Sequence, residues 1–237
     1  MISVCIATFN GKKNILEQVY SILKQIPLNS EVLISDDGST DNTIDLINSI
    51  NDSRVHLFNF NQKNVIKNFE FLISQTKGEF IFLSDQDDVW TVNKFSIFIE
   101  HFEMGYDILL SNCYVIDDDF QILHESYFQF NNSKTGFFKN IYRNSYMGCC
   151  MAFRSKVKNK ILPFPKSIPM HDWWIGLIGE LFYKTFFINS QLLFYRKHLD
   201  NISNTSTGVS KYSFFKKVYF RFILIFQLIK KFILNSK

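Results

Sequence analysis

Glycine is scarce in this chain, and its placement excludes the commonest nucleotide-binding loops. Of nine glycines in 237 residues, Gly11 and Gly38 follow strand-like runs, and each stands alone. A dinucleotide fingerprint needs G-x-G-x-x-G after the first strand, so NAD binding is not expected. The Gly-Lys-Ser/Thr cradle of a P-loop is missing too. Cysteine is equally sparse. Cys5 and Cys113 lie in apolar runs, Cys149 and Cys150 are adjacent, and no C-x-x-C pair occurs. Adjacent cysteines rarely bridge, so neither a zinc site nor a disulfide framework is expected, and reduced core thiols fit a cytoplasmic protein. No stretch of about 20 uncharged apolar residues is present, and Met1 leads straight into a strand-like run. Neither a membrane span nor a signal peptide is expected.

Acids are missing from residues 211–237, which carry seven of the 26 Lys and Arg. The remaining 19 basic residues face 22 acidic ones, so a mildly acidic body carries a basic tail. That asymmetry points to an anionic surface as the tail's partner and gives no reason to expect nucleic-acid binding. With 46% hydrophobic and 20% charged residues, the body is globular rather than disordered.

What is present alternates. Ile2–Ala7, Glu31–Ser35, Val55–Phe58 and residues 79–84 are short, apolar and partly β-branched, as buried strands are. Between them, Ile15, Val19, Ile22, Leu23 and Ile26 recur at helical spacing before Pro27. Ile44, Ile47 and Ile50 do the same after Ser39 or Thr40, either of which suits an N-cap. Residues 65–76 form a third such pattern. Alternation of this kind predicts βαβ units, a mostly parallel sheet and an α/β fold.

The polar clusters fall where strands end: Thr8 and Asn10, Asp36 and Asp37, then Ser84-Asp85-Gln86-Asp87-Asp88-Val89-Trp90. Ligands of open α/β sheets bind outside those carboxyl ends, near a switch in strand order. Three carboxylates in four positions repel one another unless a cation or firm hydrogen bonds compensate. Hard cations such as Mg²⁺ or Mn²⁺ accept such oxygens together with substrate phosphates. A solvated acidic turn capping a helix near Thr91 is the alternative.

Taken together, Ala7-Thr8-Phe9-Asn10, Asp36-Asp37-Gly38-Ser39-Thr40-Asp41 and Leu83-Ser84-Asp85-Gln86-Asp87-Asp88-Val89-Trp90 resemble the nucleotide-binding half of inverting family-two glycosyltransferases with the GT-A fold. The likeness is to bacterial rhamnosyl- and galactosyltransferase-type enzymes of surface polysaccharide assembly, over residues 2–204. The resemblance implies that Thr8 and Asn10 flank the nucleotide and that Asp37 meets the pyrimidine base. It implies further that Asp87 ligates Mg²⁺ or Mn²⁺ and that Asp85 meets the ribose or a metal-bound water. Two departures stand out. Ala7 replaces the family's proline, and Asn64 stands where a glycine is usual, an exchange that Asn's tolerance of left-handed backbone would permit.

The second half is expected to hold the acceptor site. Asp107–Cys113 reads as a strand, Asp117–Asp119 as a solvated turn, residues 124–147 as a variable acceptor-side segment, and Gly148–Arg154 as a tightly packed strand, which the resemblance implies lies beside the donor sugar. In Met170-His171-Asp172-Trp173-Trp174, Asp172 is either a helix N-cap or a general base, with the tryptophans lining a carbohydrate pocket. The motif looks like the family's catalytic-base segment. That likeness makes Asp172 the base and Trp173 a substrate contact, with His171 a neighbour that orients or packs. Tyr195-Arg196-Lys197-His198 through Asn201 resembles the family's stretch near the leaving group, which implies Arg196 on the diphosphate and His198 on the metal.

The expected organisation is a GT-A domain over 1–204, with a nucleotide-sugar half (1–105) and an acceptor half (106–204), followed by a tail over 205–237. Lys216, Lys217, Arg221, Gln227, Lys230 and Lys231 share one half of a helical wheel. Phe214, Phe215, Val218, Tyr219, Phe222, Ile225, Phe226, Ile229, Phe232 and Ile233 share the other. Such a helix lies on an anionic membrane, or docks on its own core or on a homodimer partner. The function expected is inverting transfer from a UDP- or dTDP-sugar to a glycan or lipid-linked glycan at the inner face of the cell membrane. A sugar nucleotidyltransferase and a non-catalytic nucleotide-sugar-binding module are the rivals.

Overall fold

The computed structural model describes residues 1–197 and 212–234. In chain order the first half comprises β1 (Ile2–Thr8), α1 (Ile15–Leu23), β2 (Glu31–Asp36), α2 (Thr43–Asn48), β3 (Val55–Asn59), α3 (Val65–Gln75), β4 (Phe80–Ser84), β5 (Val89–Trp90) and α4 (Lys94–Glu103). The second half comprises β6 (Ile108–Ile116), β7 (Ile122–His124), α5 (Tyr127–Asn131), α6 (Phe137–Tyr142), β8 (Met151–Arg154), α7 (Lys158–Ile161), α8 (His171–Phe182), β9 (Thr185–Arg196) and α9 (Phe214–Leu234).

The strands form one sheet in the order β3-β2-β1-β4-β8-β6-β9-β5, with β7 beside β6. β3, β2, β1 and β4 run parallel, and β2, β1 and β4 read as continuous apolar runs because both faces are covered, whereas the edge strand β3 is partly exposed. Beyond β4 the sheet is mixed. β8 enters antiparallel to β4 and β6, whereas β9 runs parallel to β6. The expected parallel half is therefore joined to a second half of different topology. Successive strands β1, β2 and β3 step one way across the sheet, and β4 returns to the other flank of β1. That reversal opens a crevice past the carboxyl ends of β1 and β4.

Several local expectations shift. Asn42, not Ser39 or Thr40, precedes α2, and Asp41 Oδ1 accepts from Thr43 N at 3.0 Å. Ser39 and Thr40 bind Asp36 and Asn10 instead. Asn64 is extended (φ −148°) and caps α3 through Lys67 N, so it is not the left-handed residue of its loop. Asn61 (φ 57°) and Lys63 (φ 51°) take that conformation. The helix expected near Thr91 begins at Lys94, because β5 first pairs with β9. Gly148–Cys150 is a single 3-10 turn leading into β8.

The tail helix α9 docks through a narrow stripe: Leu224 and Leu228 are buried and Phe220 packs beside them. Arg221 donates to the Tyr142 carbonyl, and Lys231 Nζ to the Leu162 carbonyl at 3.1 Å. Its ten-residue apolar face is left exposed, each member between 40% and 83%, with only the border residue Phe232 stacked on a body ring, Phe182, among the described residues. Among the described residues no helix is long and apolar enough to cross a membrane.

Candidate active site

One cleft of about 1230 Å³ opens at the β1/β4 reversal. Thr8, Asn10, Asp37, Asp85 and Asp87 line it from the parallel half, and Asp172 from the second half. Residues separated by up to 164 positions in the chain are thus brought together.

The β1 and β4 ends are stitched by Gln86, a residue the sequence reading passed over. Its Oε1 accepts from Thr8 Oγ1 at 2.6 Å and from Phe9 N at 2.8 Å, and its Nε2 donates to the Phe9 carbonyl at 3.1 Å. A Cβ at Gly11 would lie 2.5 Å from Gln86 Oε1, so a larger residue there would push the Gln86 amide off these hydrogen bonds. Asn10 adopts a left-handed φ of 52° and ties this loop to the next: its N–H donates to Ser39 Oγ, and its Oδ1 accepts from Thr40 N, both at 2.8 Å.

Asp37 organises the following loop. Its Oδ1 accepts from Gln62 N and Lys63 N at 2.7 and 2.6 Å, and its Oδ2 accepts from Asn64 N at 2.6 Å. A carboxylate oxygen has two acceptor positions, so Oδ2 retains one.

Asp85 is half-buried, and its carboxyl is pushed up to about 7, first by burial, then by the charges of Asp87 and Asp172. That coupling places the base candidate within electrostatic reach of the β4 acids. The oxygens of Asp85 and Asp88 and the Cys149 sulfur lie within 4.8 Å of one another. Burial and Asp87 also push Asp88 well up. A divalent cation would relieve carboxylates lifted by burial and by one another's charge, and the hard oxygens of Asp85 and Asp88 fit Mg²⁺ or Mn²⁺, whereas the Cys149 sulfur beside them is a soft donor. His198, expected on the metal, lies outside the described residues.

Asp172 stands in the first turn of α8 and is 8% exposed. Its Oδ1 accepts from Trp173 N at 2.6 Å. A helix N-terminus favours a carboxylate, and the Trp173, Gly148 and Asp172 N–H groups pull the same way. Burial outweighs them and lifts the group to about 7. His171 lines the same corner. Its ring stacks on Phe69 at 4.1 Å, both nitrogens are buried without a hydrogen bond, and burial pulls it down to about 3. It is a neutral packing group.

Two expected substrate contacts face elsewhere. Trp173 is 9% exposed and donates Nε1–H to the Asn140 carbonyl at 2.7 Å, while Trp174 donates to the Ile161 carbonyl. Both indoles anchor α8 on α6 and α7 and leave the cleft wall to other residues. Arg196 is also turned inward, because the polypeptide around it offers three acceptors. Its guanidinium reaches the Asp87 carbonyl (3.1 Å), the Asp118 carbonyl (3.2 Å) and Glu17 Oε2 (2.8 Å). Its own N–H donates to Asp88 Oδ1. It braces the acidic loop from behind, while Lys197 lines the cleft. Asp117, Asp118 and Asp119, expected in a solvated turn, line the cleft too, with Asp118 paired to Lys13 at 2.8 Å. Lys94 also went unread: fully buried, it donates to the Cys149 carbonyl at 2.7 Å and so holds the Gly148–Cys150 turn beneath the acids.

A parallel half-sheet with acids at its switch point, completed by a mixed half carrying a facing carboxylate, is the architecture of GT-A glycosyltransferases. Solved structures share it. S. aureus TarS 1–349 in complex with UDP-GlcNAc matches with a TM-score of 0.72 and 19% identity, over 94% of this chain and 66% of that one. The mannosyltransferase PcManGT from Pyrobaculum calidifontis, in complex with GDP-Man and Mn²⁺, matches with a TM-score of 0.60 and 16% identity, over 80% and 54%. The chain belongs to glycosyl transferase family 2, whose model matches residues 3–162. It is 36% identical over 123 residues to the UDP-Glc:alpha-D-GlcNAc-diphosphoundecaprenol beta-1,3-glucosyltransferase WfaP of Escherichia coli, over 52% of this chain and 49% of that protein. The chain therefore spans about half the length of that relative.

Proposed function

We propose that the chain transfers a sugar, with inversion, from a UDP- or dTDP-sugar to a hydroxyl of a glycan or lipid-linked glycan in surface polysaccharide assembly. The observation that carries this reading is the convergence of Asp85, Asp87 and Asp172 on one cleft at the strand-order switch. Family membership disfavours a sugar nucleotidyltransferase. The name of WfaP, a glucosyltransferase acting on a diphosphoundecaprenol acceptor, supports the lipid-linked choice.

In this reading the remaining acceptor position of Asp37 Oδ2 meets a base N–H, and Thr8 and Asn10, held by Gln86 and Thr40, shape the nucleotide's seat. Asp87 and His198 are assigned to the cation by resemblance, and Asp85 and Asp88, whose oxygens lie close together, are the carboxylates positioned to share it. When bound, a divalent ion supplies positive charge to the departing diphosphate. Lys63 and Lys197 take the place expected of Arg196 as cations beside those phosphates. Asp172 accepts the acceptor hydroxyl's proton while that oxygen bonds to the anomeric carbon. The bond from that carbon to the diphosphate breaks, and its electron pair leaves with the phosphate oxygen. A carboxyl held near neutrality is matched to this task. The outward apolar face of α9 and its lysines suit the interface of an anionic membrane, where a lipid-linked acceptor resides.

Product analysis with a panel of radiolabelled nucleotide sugars and glycan acceptors tests the reading. Label should move to an acceptor and stop moving when EDTA is added. Full turnover in excess chelator would refute the metal role, and nucleotide binding without any transfer would favour a binding module.

A further inference from the structure

We infer that the membrane-facing surface is built by the body as well as the tail, with α6 and the end of α8 extending the apolar face of α9 onto an anionic lipid bilayer. The inference rests on the reading of α9 as an interfacial helix and adds the part of the globular domain that shares the lipid contact.

Three observations carry it. The first is charge. Between residues 126 and 171 the sequence holds eight Lys or Arg and no Asp or Glu, and this is the segment onto which the acid-free tail docks. Arg154 and Lys156 are matched by Glu79 and Asp107. Lys139, Arg143 and Lys160 have no ion-pair partner among the described residues. Lys160 lies close enough to Lys231 for the two like charges to oppose each other.

The second is continuity of apolar surface. Arg221, on the border of the α9 apolar face, lies 5.7 Å from the Tyr142 ring centroid. Tyr142 is 76% exposed, and Phe138, one turn earlier on α6, is 86% exposed. Further along the same border Phe232 stacks on Phe182 at 6.1 Å, beside Leu181, which is 41% exposed. Aromatic and aliphatic side chains of the body thus flank the outward face of α9 along its length.

The third is the choice of occupant. Closure by a second copy of the chain would set matching patches against each other. Lys216 and Lys230 at the rim would then face other lysines, a like-charge contact that costs free energy. Anionic headgroups neutralise that rim while acyl chains take up the aromatics. No described helix is apolar enough to span, so the contact lies in the membrane plane.

Flotation of the full chain with vesicles decides the matter, using phosphatidylcholine alone and phosphatidylcholine with phosphatidylglycerol. The wild type should float with the anionic vesicles and far less with the neutral ones. Phe222→Ser with Phe226→Ser should abolish flotation, testing α9. Phe138→Ser with Tyr142→Ser, which leaves α9 intact, should weaken vesicle partition about tenfold. Leu181→Ser should weaken it on the other shoulder, so the test survives if the α6 pair fails to fold by circular dichroism. If the α6 and α8 variants float like the wild type while the α9 pair does not, the body has no share in the contact. If the wild type stays in solution and sediments as a dimer, a second copy covers the face. Sugar transfer to a soluble acceptor is measured separately, so its absence would count against the enzyme reading and leave the flotation result standing.

Discussion

Replacing Asp172 by Asn should remove transfer and at the same time make the protein more stable. The carboxyl is lifted from 3.8 to about 7 because burial disfavours its charged form more than three backbone N–H groups favour it. Between those two values the folded state holds a proton that the unfolded chain has released, so this group makes stability fall as pH rises through the window. Below the lower value both states are protonated and the group contributes nothing. Above the upper value the charge is buried at full cost. At about 1.36 kcal/mol per unit, three units amount to roughly 4 kcal/mol. Asn keeps an oxygen for the Trp173 N–H and carries no charge, so it escapes that cost. For a chain of this size ~4 kcal/mol corresponds to a Tm rise on the order of 10 °C. Thermal unfolding without added divalent ions, at about pH 8 and about pH 4, is the assay. The stabilisation should be large at the first pH and vanish at the second. With Asp172 as the proposed base, the same ionisation should govern catalysis: wild-type kcat/KM should climb with pH and level off above about 7, where that carboxyl is deprotonated. An Asn variant no more stable than the wild type near pH 8, or one that still transfers sugar, would refute the reasoning.

Two further outcomes follow from the loops around the cleft. Gln86→Ala leaves the buried Thr8 hydroxyl and the Phe9 N–H without their acceptor, which should cost about 1–3 kcal/mol and weaken UDP binding about tenfold by calorimetry. Unchanged affinity would mean that the β1–β4 stitch does not shape the nucleotide's seat. Arg196→Lys keeps the charge and loses the three-way fork behind the acidic loop, so urea unfolding should show a loss of about 2–4 kcal/mol. Glu17→Gln, whose carboxylate is 48% exposed, should cost under about 1 kcal/mol; equal losses from the two variants would contradict the bracing role.

The parallel half of the sheet was legible because β1, β2 and β4 are buried on both faces and therefore read as unbroken apolar runs, while the partly exposed edge strand β3 still alternates with helices on either side. The placing of Thr8, Asn10, Asp37, Asp85 and Asp87 on one cleft followed from strand ends alone. What the one-dimensional pattern could not carry was direction. A tryptophan beside a carboxylate fits a sugar wall and a helix anchor equally well until the partner of its N–H is known, and Asn140 and Ile161 lie 33 and 13 residues away from Trp173 and Trp174. Arg196 is the same case: a buried guanidinium goes to whatever acceptors surround it, and those are the Asp87 and Asp118 carbonyls and the Glu17 carboxylate, contributed by distant parts of the chain. Gln86 was hidden by its neutral charge between two acids. The antiparallel entry of β8 left no periodic signal, since four residues behind a 3-10 turn are too few to show one.

The tail shows how a correct pattern can leave the pose open. Its wheel divides cleanly into a basic half and an apolar half, and that division held attention on the apolar half as the face that must be covered. The docked face is set by a second, weaker stripe inside the basic half: Phe220, Leu224 and Leu228, spaced four apart. Burying two leucines contributes roughly 3–6 kcal/mol, enough to seat the helix once Arg221 and Lys231 reach body carbonyls at Tyr142 and Leu162. Burying the broader face against the protein would have taken ten large side chains out of water but required an equally broad apolar groove on the body. The body beside α9 instead carries cations among its aromatics, with Lys160 over the Phe182 ring and Arg143 next to Tyr142. The helix therefore sits on its lesser stripe and leaves the greater one to face outward. That arrangement is costly in water alone and becomes favourable where hydrocarbon and anionic headgroups meet.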